Sequence, residues 1–240
     1  MKTLRILLIS ILGFVLIESS YAQGKLALEA KIGTGSTQID YVGDFPELVV
    51  STSDHVFFGL GLVKTFENGW SYGLESEYYR LDLFFSYTPL DEIKNKGGMR
   101  SDYWAFGPKI QKDFHVLPKM GFSLATGLHL TYNSTEDYQF QGGELQSVRQ
   151  PGGEPRVPVK IYGLRSVEEF TFLVKPEIGV FCDINKHSRI MLSGKWGLDL
   201  REPSIVIDLD RIEFEEQTYQ NKYSFSGNYF SALLGYRYSF

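Results

Sequence analysis

Eight stretches of this chain keep a two-residue beat, bulky apolar side chains alternating with small or polar ones, and that beat leaves little room for anything but β-strand. A helix repeats every 3.6 residues and would break the alternation within a turn. The stretches are KLALEAKIG (25–33), HVFFGLGLVKTF (55–66), WSYGLESEYY (70–79), YWAFGPKIQ (103–111), GFSLATGLHLTY (121–132), FTFLVKPEIGVF (170–181), RIMLSGKWGLDL (189–200) and FSALLGYRYSF (230–240). In the fifth, Phe122, Leu124, Leu128, Leu130 and Tyr132 oppose Gly121, Ser123, Ala125, Gly127 and His129. Runs of about ten residues are long enough to cross a hydrocarbon layer as tilted strands.

The connections repeat a pattern of their own. Those between the second and third, fourth and fifth, and sixth and seventh runs are short, the first of them carrying the turn-forming Asn68-Gly69 pair. The others, roughly 38–54, 83–101, 133–168 and 201–226, are long. Short turns on one side and long loops on the other are characteristic of membrane-spanning barrels, and an even strand number puts both ends on the short-turn side.

Periodicity alone does not say which face meets lipid; composition does. The second face is rich in Gly, Ala and Ser, with Glu29, Lys31, Glu75, Glu77, Lys109, Lys175, Glu177, Lys195 and Arg237 scattered along it. A water-facing surface would be densely charged and poor in glycine, whereas a narrow lumen needs small residues and a few long ones to fill it. The charges therefore point inward and are expected to pair into a plug. The stripe of Phe, Leu and Tyr points out, and 15 Tyr and 18 Phe suffice for aromatic girdles. The expected fold is all-β, an eight-stranded antiparallel up-and-down transmembrane β-barrel. Ten strands result if VPVKIY (157–162) and IVIDL (205–209), which also alternate, cross the membrane rather than rise above it.

Ahead of the strands, Lys2 and Arg5 precede an apolar run over 6–17, and Ser20-Tyr21-Ala22 offers small residues where a signal peptidase reads. The run is too short for a spanning helix, so 1–22 is expected to be a cleaved signal peptide and 23–240 the barrel domain. Without Lys2, Arg5 and Glu18 the remainder carries 22 basic and 28 acidic residues, which argues against a nucleic-acid partner. The lone Cys182 forms no internal disulfide.

With its signal-like start, eight alternating runs and a terminal LGYRYSF, the chain resembles the eight-stranded outer-membrane barrels of the OmpA/OmpX type, and most of all the PorT-like outer-membrane β-barrel domain family, over 23–240. The resemblance implies insertion among outer-membrane lipids of a Gram-negative cell. It also implies that the final strand, ending on Phe240, is the segment read by the barrel-assembly machinery. No peptidoglycan-binding domain is expected after that strand.

Chemistry is sparse. His55, His115, His129 and His187 form no HxxxH or HExxH pair, so no metal or cofactor is expected. His115 and His187 fall in predicted periplasmic turns. His129 is the one candidate for catalysis: it faces the predicted lumen near the outer end of its strand, with Thr131 or Ser193 as hydroxyl and Glu77 or Asp199 as acid. It lies on the wrong face for a lipid substrate, and the alternative assigns it to the plug, hydrogen-bonded. The long outer connections are acidic, with Asp40, Asp44, Glu47 and Asp54 in the first, and the third holds Gly142-Gly143 and PGGEPRVP, a flexible-looking stretch. The expected role is non-enzymatic, structural or surface-interacting through those loops, with a surface or periplasmic protein as partner. The alternatives are a lipid-modifying enzyme and a porin-like transporter of small solutes.

Overall fold

The computed structural model describes residues 24–52, 55–87, 99–148, 157–201 and 203–240; the expected signal peptide lies outside them. Among the described residues fifteen strands follow one another: β1 (Gly24–Thr37), β2 (Asp40–Gly43), β3 (Leu48–Thr52), β4 (His55–Phe66), β5 (Trp70–Tyr87), β6 (Met99–Leu117), β7 (Met120–Asn133), β8 (Tyr138–Val148), β9 (Val157–Val167), β10 (Phe170–Val174), β11 (Glu177–Asp183), β12 (Ser188–Asp199), β13 (Ile205–Phe214), β14 (Gln217–Phe225) and β15 (Tyr229–Ser239).

The barrel closes with eight staves. β1 pairs with β4, and the ladder continues through β5, β6 and β7 to β10 and β11, then to β12 and β15, which returns to β1. All pairings are antiparallel. β10 and β11 together make one stave, interrupted because Pro176 has no N–H to give the ladder. The backbone still runs through the gap: Lys175 and Gly127 exchange both amide bonds, and Trp196 N–H donates to the Pro176 carbonyl at 3.0 Å. The expected uninterrupted sixth strand is corrected to this pair.

The short turns behave as their residues dictate. Gly69 takes the left-handed conformation at φ +80°, closing a turn in which its N–H donates to the Phe66 carbonyl. Both ends of the described chain lie on this side, where Phe240 N–H donates to the Leu26 carbonyl.

Each stave has fixed parity, but the polarity of its two faces reverses along its length. On β5, inward Ser71, Gly73, Glu75 and Glu77 oppose outward Tyr72, Leu74 and Tyr78. Above Tyr79 the inward positions become apolar, with Leu81, Leu83 and Phe85 buried, while outward positions carry Arg80 and Asp82. The reversal marks the outer surface of the membrane: below it the outside solvent is hydrocarbon, above it water. Between the two rims Leu60, Leu128, Leu192 and Leu234 stand exposed on the outside. Aromatic pairs flank this belt, Tyr78 with Trp104, Tyr132 with Phe170 and Trp196 with Phe230 at the outer rim, and Phe114 with Phe122 at the inner.

The four long connections, expected as loops, are mostly strand where they are described. β5 and β6 run well past the belt, β3 adds to the upper part of β5, and β2, β14, β13, β9 and β8 form a second, five-stranded sheet. VPVKIY and IVIDL thus build a crown above the membrane and leave the barrel at eight staves. Gly142-Gly143 lies within β8, where Gly142 at φ +76° is the extra residue of a bulge between Gln141 and Gly143, which pair with Tyr162 and Ile161 of β9; of PGGEPRVP, residues 151–156 fall outside the described ones.

Candidate functional site: the lumen and the crown

The nine charges that the sequence places on the inward face form one buried network. Lys31 on β1 donates to Glu75 at 2.9 Å and to both oxygens of Glu177, also at 2.9 Å. Lys195 on β12 donates to Glu75 at 2.8 Å and also bonds Glu77, which takes a further bond from Lys175. Lys109 lies 3.1 Å from Glu177, and Arg237 on β15 donates from Nε to Glu29 at 2.6 Å. Every cation thus meets a carboxylate on another strand, the geometry that offsets desolvation of a buried charge. At the inner mouth Asp113, which the two-beat pattern does not single out on this face, accepts from Arg189 and Arg237.

Above the charges sits an aromatic layer. Tyr79 stacks on Phe57 at 4.9 Å and on Tyr103 at 4.8 Å between ring centres, and Tyr229 closes against Phe57 and Tyr79. The Tyr229 hydroxyl donates down to Glu77 at 3.4 Å, joining the two layers. All four rings are buried. The lumen is filled by side chains from its charged middle to its aromatic top.

His129 is part of this filling. It is 0% exposed, with Nε2 3.8 Å from Glu75 and Nδ1 3.9 Å from Glu77, and Gly107 and Gly127 leave room for its ring. Neither nitrogen is hydrogen-bonded among the described residues, so the expected hydrogen-bonded histidine is corrected to one held only near two carboxylates. Of the candidate partners, Glu77 comes near, while Thr131, Ser193 and Asp199 make no hydrogen bond to it. The other histidines each meet a polar partner: His55 shares a 2.8 Å hydrogen bond with Thr37, exposed His115 lies 3.4 Å from Asp183, and His187 donates to the Ser239 carbonyl at 2.8 Å.

The crown has a core of its own, continuous with the top of the barrel. Ile205, Ile207, Leu209, Ile212 and Phe225 on β13 and β14 pack with Val159 and Ile161 of β9 and with Leu48, Leu83 and Phe85 below. After Leu209 the β13 register shifts by one extra residue in a bulge at Asp210 and Arg211, which returns Ile212 to the buried side. Asn221 clamps the first connection to β14: its Oδ1 accepts from Phe45 N–H at 3.1 Å and its Nδ2 donates to the Phe45 carbonyl at 2.9 Å. Tyr223 donates its hydroxyl to the Leu48 carbonyl, and burial pushes that phenol above its ordinary range. Facing away from this core is a groove of about 1230 Å³ bordered by Gln139, Gln141, Leu164, Asp208, Arg211 and Lys222, where the Arg211 guanidinium lies 3.7 Å above the Tyr162 ring.

Comparison with solved structures decides the fold. The crystal structure of the outer membrane protein OprG from Pseudomonas aeruginosa matches at a TM-score of 0.50, covering 90% of this chain and 96% of that one at 10% identity. The chain folds as an outer-membrane β-barrel. Neisserial surface protein A gives a TM-score of 0.43 at 9% identity, covering 90% of this chain and 97% of its own, and Yersinia pestis Ail gives 0.38 at 12% identity, covering 91% and 100%. No family model matches the sequence, and curated proteins yield no match either. The barrel's apolar belt and filled interior agree with a place in the outer membrane, its short turns towards the periplasm and its crown outside.

Proposed function

We propose that this barrel is a non-conducting, non-enzymatic outer-membrane protein whose work is to hold a rigid β-sheet crown at the cell surface, where the outward groove meets a partner. The observation that carries the reading is the continuity of filling: ion pairs in the middle of the lumen, stacked aromatics above them, and a crown core above those. A solute passing axially would have to break all three. The enzyme alternative loses support because His129 is sealed from both solvent and lipid. In this reading residues 1–22 direct export, and β15, with outward Phe230, Leu234, Tyr236 and Tyr238, is the segment the assembly machinery engages.

The test is electrical. Purified barrel in planar bilayers is expected to give no steady conductance, and unitary current steps of constant size would overturn the reading. A charge-reversed groove (Asp208→Lys with Lys222→Glu) should leave the barrel folded and silent while changing which surface ligands intact cells retain.

A further inference from the structure

The inner rim carries an electrostatic feature that the surface role does not use. Lys25 on β1, Lys112 on β6, Lys119 in the β6–β7 turn and Lys186 in the β11–β12 turn stand around the short-turn end. The carboxylates there are largely engaged: Asp113 is taken by Arg189 and Arg237, and Asp183 by Arg189 and His115. Among the described side chains Glu67 is the remaining acid of this rim. The crown is the opposite, with carboxylates outnumbering cations about two to one.

These lysines stand at headgroup height. Lys112 Nζ lies 5.2 Å from the Trp70 ring centre and 5.9 Å from that of Phe114, donating to the Asn68 carbonyl, so the ammonium sits at the lower edge of the aromatic girdle. Long cationic stems that snorkel past interfacial aromatics put their charge among lipid phosphates. A ring of lysines continuous with the hydrocarbon belt, on a rim whose acids are mostly committed elsewhere, favours headgroups of net negative charge over zwitterionic ones.

We propose that the inner rim is a collar that selects anionic phospholipid headgroups in the leaflet around the short turns. The acidic crown repels the same headgroups, so the two ends together favour a bilayer in which the anionic lipid lies on the turn side.

The protein's own tryptophans test this, since Trp70 lies at the inner rim and Trp104 and Trp196 at the outer. Full-length barrel carrying Trp104→Phe and Trp196→Phe is reconstituted into vesicles containing either brominated phosphatidylglycerol or brominated phosphatidylcholine, and folding is verified by heat-modifiable gel migration. The brominated anionic lipid is expected to partition to Trp70 about threefold or more over the zwitterionic one, and 1 M salt should abolish that preference. Combined Lys25→Gln, Lys112→Gln, Lys119→Gln and Lys186→Gln should abolish it too, while a Trp70→Phe, Trp196→Phe protein reporting from Trp104 should show none. Equal quenching at Trp70 by the two lipids, or a preference untouched by salt, overturns the collar. The salt arm needs no lysine substitution, so it tests the collar even if the four-glutamine protein does not fold.

Discussion

Lys31 and Glu177 face each other across the lumen, one ammonium bonded to both oxygens of one carboxylate at 2.9 Å, although they stand 146 positions apart in the chain. Neither can lose the other cheaply. Removing one partner of a buried pair strands an uncompensated charge, at a cost of about 3–5 kcal/mol. Lys31→Met and Glu177→Leu should each destabilise the barrel by about that much in urea unfolding from lipid vesicles. The double variant should recover a large part of the loss, giving a clear coupling term in the double-mutant cycle. Strictly additive losses would mean that the network, and not the pair, sets the cost.

The orientation of the two faces makes a second prediction at adjacent residues. Leu234 is 55% exposed in the belt, and Leu234→Arg there should cost about 2–4 kcal/mol. Its neighbour Gly235 faces inward, where an added Cβ would lie 3.1 Å from Met191 and 3.3 Å from the Lys31 stem. Gly235→Val should therefore fail by crowding and not by polarity. Refolding yield by heat-modifiable migration separates the two cases, and a harmless Leu234→Arg would reverse the assignment of faces.

A third prediction concerns pH and the crown alone. Burial raises the Tyr223 phenol, with Tyr41 adding to the rise and the Asn221 amide opposing it. The sign follows: an unfolded crown releases this proton near pH 10, while the folded crown keeps it to higher pH. The contribution is complete below about pH 10 and is lost as pH climbs from there through the raised value. Crown opening, read by protease sensitivity around 205–225, should set in above about pH 10 while the barrel stays heat-modifiable. Tyr223→Phe should remove this alkaline step at a cost of about 1–3 kcal/mol, because the Leu48 carbonyl loses its donor.

The fourth prediction addresses His129. Since its ring is enclosed and makes no hydrogen bond, His129→Leu should preserve the barrel, and cells carrying it should keep unchanged lipid A and phospholipid profiles. A shift in either profile would reinstate the enzyme.

How far the pattern of residues carries is shown by β5. Its lower half reads at once, because apolar-out and polar-in is a two-beat signal against a uniform hydrocarbon solvent. Nine of the inward charges are legible for the same reason, while Asp113 at the inner mouth is not. Above Tyr79 the beat continues, but the meaning of its two phases is exchanged, so Leu81, Leu83 and Phe85 prove to be core where the pattern alone marks the approach to a loop. The crown is harder still. Asn221 meets Phe45 across 176 residues, and no local spacing announces a pairing of that range. VPVKIY and IVIDL display their strand character but not their height, since alternation says that a strand has two faces without naming the solvent on either. The isolation of His129 from Thr131 and Ser193 depends on side-chain geometry that periodicity does not encode.

The exchange of polarity above Tyr79 also governs how deeply the protein is immersed. Sinking by one pair of residues, about 5 Å of height on a tilted strand, would drag Arg80 and Asp82 into hydrocarbon; rising by the same step would lift the outer-rim Tyr78 and Phe230 out of lipid and draw Lys112 towards the hydrocarbon. The barrel has no freedom to bob, so in a bilayer of different thickness it is the lipid that must stretch or thin around it. The crown accordingly stands at a constant elevation over the cell, whatever the membrane beneath it does.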